Sequence, residues 1–148
     1  MHLPRRLDSA ISKLYLAYVN NELHPEDACR CAVGNILDKS DLWKHLSDNH
    51  GSLELNYIGK IHEVLGKKFN GYIPSELLAI EAAFLTGCGY SLPLSYKGKK
   101  PKSPQGKTTL FNGLKEVISV LCSLDKVDNV MELTQLFTPK KIKEEVVI

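Results

Sequence analysis

The stretch that most constrains the fold is residues 74–87, Pro-Ser-Glu-Leu-Leu-Ala-Ile-Glu-Ala-Ala-Phe-Leu-Thr-Gly. Proline suits the first turn of a helix, where its missing N–H costs nothing, and glycine suits the position just after a helix end. Leucine, isoleucine, phenylalanine and alanine occupy nearly every face between them. A helix that is apolar nearly all round belongs inside a domain. We therefore predict that the other helices pack around this one.

One acidic residue interrupts this apolar helix. Glu81 has Leu77 and Leu85 four residues away on either side. A carboxylate in such surroundings either finds a partner or is hard to ionise. Two interpretations stay open: an acid/base group or metal ligand, or a glutamate at a gap in the packing that reaches water or pairs with a lysine.

The rest of the chain shows the apolar spacing of further helices. They are predicted at about 5–19, from 24 onward, from 52 to 65, from 108 or 109 to 124, and from 128 to 138. Ser52 is the predicted cap of the third of these, and its predicted buried stripe is Tyr57, Ile58, Ile61, Val64 and Leu65. No stretch alternates with period two. The sequence thus predicts an all-α, single compact domain of five to seven helices over residues 1–139, followed by a charged tail at 140–148.

Composition restricts the class of protein. A chain of 148 residues with 43% hydrophobic and 24% charged residues fits one soluble globular domain. A formal charge of +2 is too small to indicate nucleic-acid binding. We find no signal peptide and no membrane-spanning stretch, so we expect a cytoplasmic protein whose four cysteines are free thiols.

Two cysteines lie close together, with histidines nearby in the sequence. If residues 29–31 are helical, Cys29 and Cys31 point about 200° apart and cannot both ligate one metal ion. A metal site would need the helix to be broken there, or one thiol joined by distant histidines. We therefore expect no metal and no cofactor, with Cys29 on the apolar face of the helix as a small hydrophobic residue.

Residues 43–51 form the densest polar segment of the chain. Polar groups beside an aromatic ring are typical of a ligand pocket, and equally of a loop that satisfies its own hydrogen bonds. We favour the structural loop. If a ligand site exists, we expect a small anion near the start of the helix that Ser52 caps. The candidate ligand-binding residues are Trp43, His45, Asp48, His50 and Cys31.

A lysine-rich segment, residues 96–107, contains five lysines and no acidic residue. Lysines beside tyrosines are compatible with phosphate or single-stranded nucleic acid. We favour a solvated loop, so nucleic acid is not an expected partner.

The strings Cys-Ala-Val-Gly-Asn (31–35) and Trp-Lys-His-Leu-Ser-Asp-Asn-His-Gly-Ser (43–52) resemble those of a group of small bacterial proteins of unknown function. The similarity covers most of the chain. Some members of that group carry the automatic label of one component of the sodium-translocating NADH–quinone reductase. The C-x4-C-x2-C spacing of a plant-type iron–sulfur site is absent here. The resemblance therefore implies one family but no catalytic residue.

These observations favour a non-catalytic cytoplasmic binding or interaction domain, whose partner is a small anion or a protein. The alternative is a metal- or thiol-dependent enzyme that uses Cys31 and the loop carrying His45 and His50. The two hypotheses differ in whether Cys31 and His50 can reach each other in the fold.

Overall fold

The computed structural model describes residues 3–127. Within them the chain forms five α-helices and no strand, which confirms the all-α, single-domain prediction. The helices are α1 (Arg5–Val19), α2 (Ala32–Ile36), α3 (Tyr57–Val64), α4 (Pro74–Cys88) and α5 (Lys107–Leu124), with a 3-10 helix at Lys44–Leu46. The helix predicted from residue 128 and the charged tail lie outside the described residues.

Helix α4 is the centre of the domain, as its composition predicts. It contacts α2, α3 and α5, and its side chains Leu77, Ile80 and Phe84 are fully buried. The crossing with α5 is close because Gly113 faces α4. A Cβ at Gly113 would lie 2.5 Å from Cys88 Sγ. The apolar helix is thus enclosed on most sides, as expected of a core helix.

The end of α4 differs slightly from the prediction. The helix runs through Gly87 to Cys88, and Gly89 is the residue that adopts the left-handed conformation, with φ of 106°. Gly87 has a different role, because a Cβ there would lie 2.6 Å from the carbonyl oxygen of Asn112 on α5. This glycine allows close helix packing and does not end the helix.

Helix α1 has the predicted bounds, but the helix predicted from residue 24 is wrong in its first half. Residues 25–30 form turns. The Asp27 side chain accepts a hydrogen bond from the Cys29 amide at 2.9 Å, and such local bonds compete with helix formation. Helix begins at Ala32, after Cys31 in an extended conformation. Cys29 and Cys31 therefore do not share a regular helix.

Helix α3 begins later than predicted, and the predicted cap is wrong. Asn56 caps it, with Oδ1 accepting from the Gly59 amide at 2.8 Å, whereas Ser52 Oγ accepts from Glu54. The predicted buried stripe is also wrong, because its five residues are 40–85% exposed. The inward face carries Gly59 instead, where a Cβ would lie 2.3 Å from the carbonyl oxygen of Leu46.

Crossing a bilayer requires a helix of about 20 predominantly apolar residues. None of the described helices combines that length with that apolar character.

Candidate functional site

Three distant segments meet beside the central helix. They contribute Cys31 from the start of α2, His50 from the loop before α3, and Glu81 from the middle of α4. The Cys31 Sγ, a ring nitrogen of His50 and a carboxylate oxygen of Glu81 all lie within 4.8 Å of one another. We call these three residues the Cys–His–Glu cluster. Cys31 and His50 therefore do reach each other in the fold.

Glu81 is the carboxylate of the cluster and is buried, with 1% of its surface exposed. Its Oε2 lies 2.6 Å from His50 Nε2. Its Oε1 accepts a hydrogen bond from the Val33 amide at 3.2 Å. Within the described residues, this carboxylate is therefore partnered by a histidine and by the backbone of α2.

Cys31 is fully buried and precedes α2. Its Sγ accepts from the Gly34 amide at 3.4 Å and lies 3.6 Å from the carbonyl oxygen of Ala28, to which the thiol donates. Burial first, and then the negative charge of Glu81, raises the pKa of the Cys31 thiol well above its usual range. The thiol is therefore protonated, and a weak nucleophile, near neutral pH.

The first turn of α2 supplies a donor to each acidic member of the cluster. Amides in a first helical turn have no partner within the helix. Here the Val33 amide donates to Glu81 and the Gly34 amide donates to Cys31. Both bonds favour negative charge on the atoms that receive them, since a hydrogen bond to the charged form stabilises it.

His50 is held in place by its backbone and by its ring. Its carbonyl oxygen accepts from the Leu94 amide at 2.8 Å. Its ring meets the Trp43 ring edge-on, with centroids 5.5 Å apart. The next residue, Gly51, has a φ of 90°, which favours glycine, and a Cβ there would lie 2.9 Å from Leu85 Cδ1 on α4. The loop therefore lies tightly against the central helix.

The other predicted site residues lie in the same region but outside the cluster. Trp43 is buried, and its Nε1 donates to the Ala28 carbonyl at 3.1 Å. The His45 ring packs edge-on against His62, and Asp48 accepts from Asn56 Nδ2 at 3.2 Å. These contacts hold the loop against the turn before α2 and against α3.

Two clefts open beside His50, each of about 350 Å³. The first is lined by Ala28, Trp43, Lys44, His45, Asp48 and His50. The second is lined by Glu26, His50, Tyr90, Leu94, Ser95 and Lys100. His50 is the member of the cluster that reaches solvent, with 20% of its side chain exposed. Access to the two buried members therefore passes His50.

The sequence placed Cys31 and His50 among the candidates but did not assign Glu81 to the site. The signal was present, because a single acid on an otherwise apolar helix demands a partner. What the sequence lacked was the partner's identity, since 31 residues separate His50 from Glu81 and nothing local links them.

The cluster combines thiol, imidazole and carboxylate, which are the ligand types that zinc uses. At zinc bond lengths of about 2.0–2.3 Å, tetrahedral ligand atoms lie roughly 3.5 Å apart. The 2.6 Å contact between His50 and Glu81 would have to open by about 1 Å, and the widest separation would have to close by a similar distance. Binding would therefore require shifts of about 1 Å in the ligand side chains.

Together these features define an all-α domain with a buried Cys–His–Glu cluster between two clefts. Comparison with protein-family models, with curated proteins and with solved structures found no match. The resemblance to small bacterial proteins drawn from residues 31–35 and 43–52 therefore stays a prediction.

Proposed function

We propose that this protein is a metal-binding domain and that Cys31, His50 and Glu81 bind one zinc or similar divalent transition-metal ion. The observation that supports this proposal is the convergence of three different ligand types, from three separate segments, within 4.8 Å. A histidine and a carboxylate alone often form a simple ion pair. A thiol added to them gives a combination suited to zinc.

Charge balance supports a divalent ion in this place. A thiolate and a carboxylate together carry two negative charges, which a divalent cation neutralises, while a neutral imidazole adds none. Buried charge is costly unless it is compensated. The two α2 amides that donate to Cys31 and Glu81 resemble the outer-shell donors that orient metal ligands.

The expectation of no metal assumed a regular helix through Cys29 and Cys31. That premise does not hold, because the chain forms turns at residues 25–30. Cys31 lies with a distant histidine, which was the alternative left open, and Cys29 takes no part in the cluster.

Three protein ligands leave a fourth coordination position on a tetrahedral ion, as in catalytic zinc sites. We infer that water or a small anion takes that position and exchanges through the clefts that His50 lines. In this proposal the domain is cytoplasmic, binds a small anion or a protein, and does not bind nucleic acid.

A thiol-dependent enzyme is the weaker hypothesis on the same residues. A catalytic cysteine needs an accessible thiol with a lowered pKa. Cys31 has no exposed surface, and its thiol pKa is raised. A metal ligand, unlike a nucleophile, need not be exposed to a substrate. The raised pKa is no obstacle either, because a bound ion favours the thiolate.

The decisive experiment is a zinc titration of the untagged full chain, with matched cysteine and histidine variants. We expect one zinc per chain, and a thiolate-to-metal charge-transfer band when cobalt(II) replaces zinc. Cys31→Ser and His50→Ala should each lower zinc affinity by at least about 10–100-fold, since even outer-shell changes cost that much.

Cys29→Ser and His45→Ala are the matched controls, because each removes the same chemistry from outside the cluster. They should leave zinc affinity within about threefold of the wild type, as expected for residues that are not ligands. Equal losses in Cys29→Ser and Cys31→Ser, or no zinc binding at micromolar concentration, would contradict the proposal and leave the cluster as a buried hydrogen-bond network.

A further inference from the structure

The two clefts that His50 lines differ in the state of their lysines. In the first cleft, Lys44 forms an ion pair with Asp41 at 3.3 Å. In the second cleft, Lys100 has no salt-bridge partner among residues 3–127. A ligand that enters the second cleft therefore meets a cation whose charge is not already taken. We call it the Lys100 cleft.

The charge around the Lys100 cleft is positive on balance. Glu26 is the only acid among the lining residues, and its Oε2 accepts a hydrogen bond from the Tyr90 hydroxyl at 2.8 Å. Opposed to it are Lys100 and the rest of the lysine-rich segment 96–107, which contains five lysines and no acidic residue. Such a field attracts an anion and repels a cation.

The segment that precedes Lys100 is held beside His50 by backbone hydrogen bonds. The Leu94 amide donates to the His50 carbonyl oxygen at 2.8 Å. The Ser91 amide donates to the Lys99 carbonyl oxygen at 3.0 Å, and the Lys99 amide donates to Ser91 Oγ at 2.8 Å. The backbone next to Lys100 is thus positioned before any ligand arrives, which lowers the entropy lost on binding.

The walls and the size of the Lys100 cleft suit a small ligand with an apolar ring. Tyr90 is buried and Leu94 is half-buried, whereas Tyr96 is 87% exposed, more than any other large apolar residue of the described chain. A ring packed against Tyr96 would cover apolar surface that now meets water. The volume of about 350 Å³ is near the lower end of the range for ligand clefts, about 300–1,000 Å³.

Charge balance in the proposed metal site restricts the ligand further. A divalent ion bound by the Cys31 thiolate and the Glu81 carboxylate forms a neutral group. One carboxylate at the open coordination position adds one negative charge, which Lys100 offsets. A dianion would leave a second negative charge without compensation in the cleft.

We propose that the Lys100 cleft binds a small monocarboxylate with an aromatic body. The carboxylate takes the open coordination position beside His50, and Lys100 offsets its charge. The ring packs against Tyr90, Leu94 and Tyr96. This inference rests on the proposed metal site and names the class of small anion that the site takes.

The test is a titration of the cobalt(II)-substituted full chain with benzoate, followed in the visible absorption bands of the metal. A carboxylate that coordinates the ion changes these bands, and we expect the change to saturate at millimolar benzoate. Benzyl alcohol keeps the ring without the charge, and acetate keeps the charge without the ring. Each should bind at least about fivefold more weakly than benzoate, because each lacks one of the two interactions.

Three variants test the residues of the cleft. Lys100→Ala should weaken benzoate binding by about five- to twentyfold, because the ligand loses its charged partner. Lys102→Ala is the matched control and should bind benzoate as the wild type does, since Lys102 is exposed on the same segment but does not line the cleft. Glu26→Gln removes a negative charge and keeps an acceptor for the Tyr90 hydroxyl, so it should tighten benzoate binding by about two- to fivefold.

Zinc affinity separates a failure of this inference from a failure of the metal site, because neither lysine is a proposed metal ligand. The inference is overturned by normal zinc binding without any response to benzoate, or by equal benzoate affinities of Lys100→Ala and Lys102→Ala. Benzoate binding that calorimetry finds unchanged after removal of the metal would overturn it as well. A chain that binds neither zinc nor cobalt(II) would instead overturn the proposed function, and this inference with it.

Discussion

Cys29 and Cys31 show how strongly environment can differ between residues two positions apart. Cys29 is half-buried, and its amide bonds to the Asp27 side chain. Cys31 is fully buried beside the Glu81 carboxylate. Burial, and to a lesser degree the negative charge of that carboxylate, raises the pKa of the Cys31 thiol. Alkylation kinetics should separate the two.

With iodoacetamide at neutral pH, and with zinc removed, we expect Cys29 to react well before Cys31. A thiol reacts as its thiolate, so the Cys31 rate should keep rising with pH beyond the range where an ordinary thiol levels off. Peptide mapping by mass spectrometry after timed quenching measures both rates. Faster reaction of Cys31 would favour the thiol-dependent enzyme over the metal site.

Glu81 gives a second prediction at the scale of the residue. Glu81→Ala should lower the free energy of unfolding by about 2–3 kcal/mol in the metal-free protein, less than for a fully buried pair because His50 still reaches water. Glu81→Gln keeps the shape and an acceptor for His50, so it should cost less. Urea denaturation with a chelator present measures both.

An exposed glutamate provides the control for that comparison. Glu54→Ala should stay within about 0.5 kcal/mol of the wild type, as surface substitutions do. If Glu81→Ala behaved like Glu54→Ala, the carboxylate would have no stabilising partner in the folded protein.

At the scale of the element, the contact between α4 and α5 depends on the absence of a side chain. A Cβ at Gly113 would lie 2.5 Å from Cys88 Sγ and 2.9 Å from the Phe84 carbonyl oxygen. The backbone oxygen cannot turn away as a flexible side chain can. Helix propensity alone would favour alanine at this position by about 1 kcal/mol. Packing and helix propensity therefore predict opposite changes in stability for Gly113→Ala.

We expect packing to prevail, so that Gly113→Ala destabilises the protein by about 1–3 kcal/mol, as overpacked cores do. Ser123→Ala, at an exposed site on the same helix, should be neutral or slightly stabilising. Thermal and urea unfolding of both variants show whether each substitution stabilises or destabilises the protein. A stabilised Gly113→Ala variant would mean that the two helices lie farther apart than the structure places them.

At the scale of the whole molecule, the cluster joins three segments that are separate in sequence. An ion bound there cross-links the turn before α2, the loop before α3 and the central helix. Such an ion binds the native state and stabilises it according to its concentration relative to the dissociation constant.

Zinc at 100 times its dissociation constant should stabilise the native state by about 2.7 kcal/mol. That corresponds to a rise in Tm of about 5–10 °C for a chain of this size. Differential scanning fluorimetry with zinc and then with chelator measures the change and its reversal. At the same zinc concentration, Cys31→Ser should show at most about half of that rise, since tenfold weaker binding leaves about 1.4 kcal/mol and hundredfold weaker binding about 0.4 kcal/mol. An equal rise in that variant would place the ion elsewhere.

The sequence by itself determined the helical class, the bounds of α1 and the central place of α4. These follow from local rules, because helical periodicity, proline at a first turn and an all-round apolar surface act over a few residues. The polar segment at residues 43–51 and the isolated Glu81 were also visible as departures from those rules.

The tertiary structure alone decided which of these departures belong together. Helical spacing identified an apolar stripe on α3 but not which side faces inward, and the close approach of Gly59 to Leu46 settled that. Turns at residues 25–30, one of them bonded to the Asp27 side chain, replace the first half of the helix predicted from residue 24. Cys31 follows these turns and lies beside Glu81. Contacts between residues so far apart in the chain leave no local pattern in a sequence, because they depend on how the helices pack.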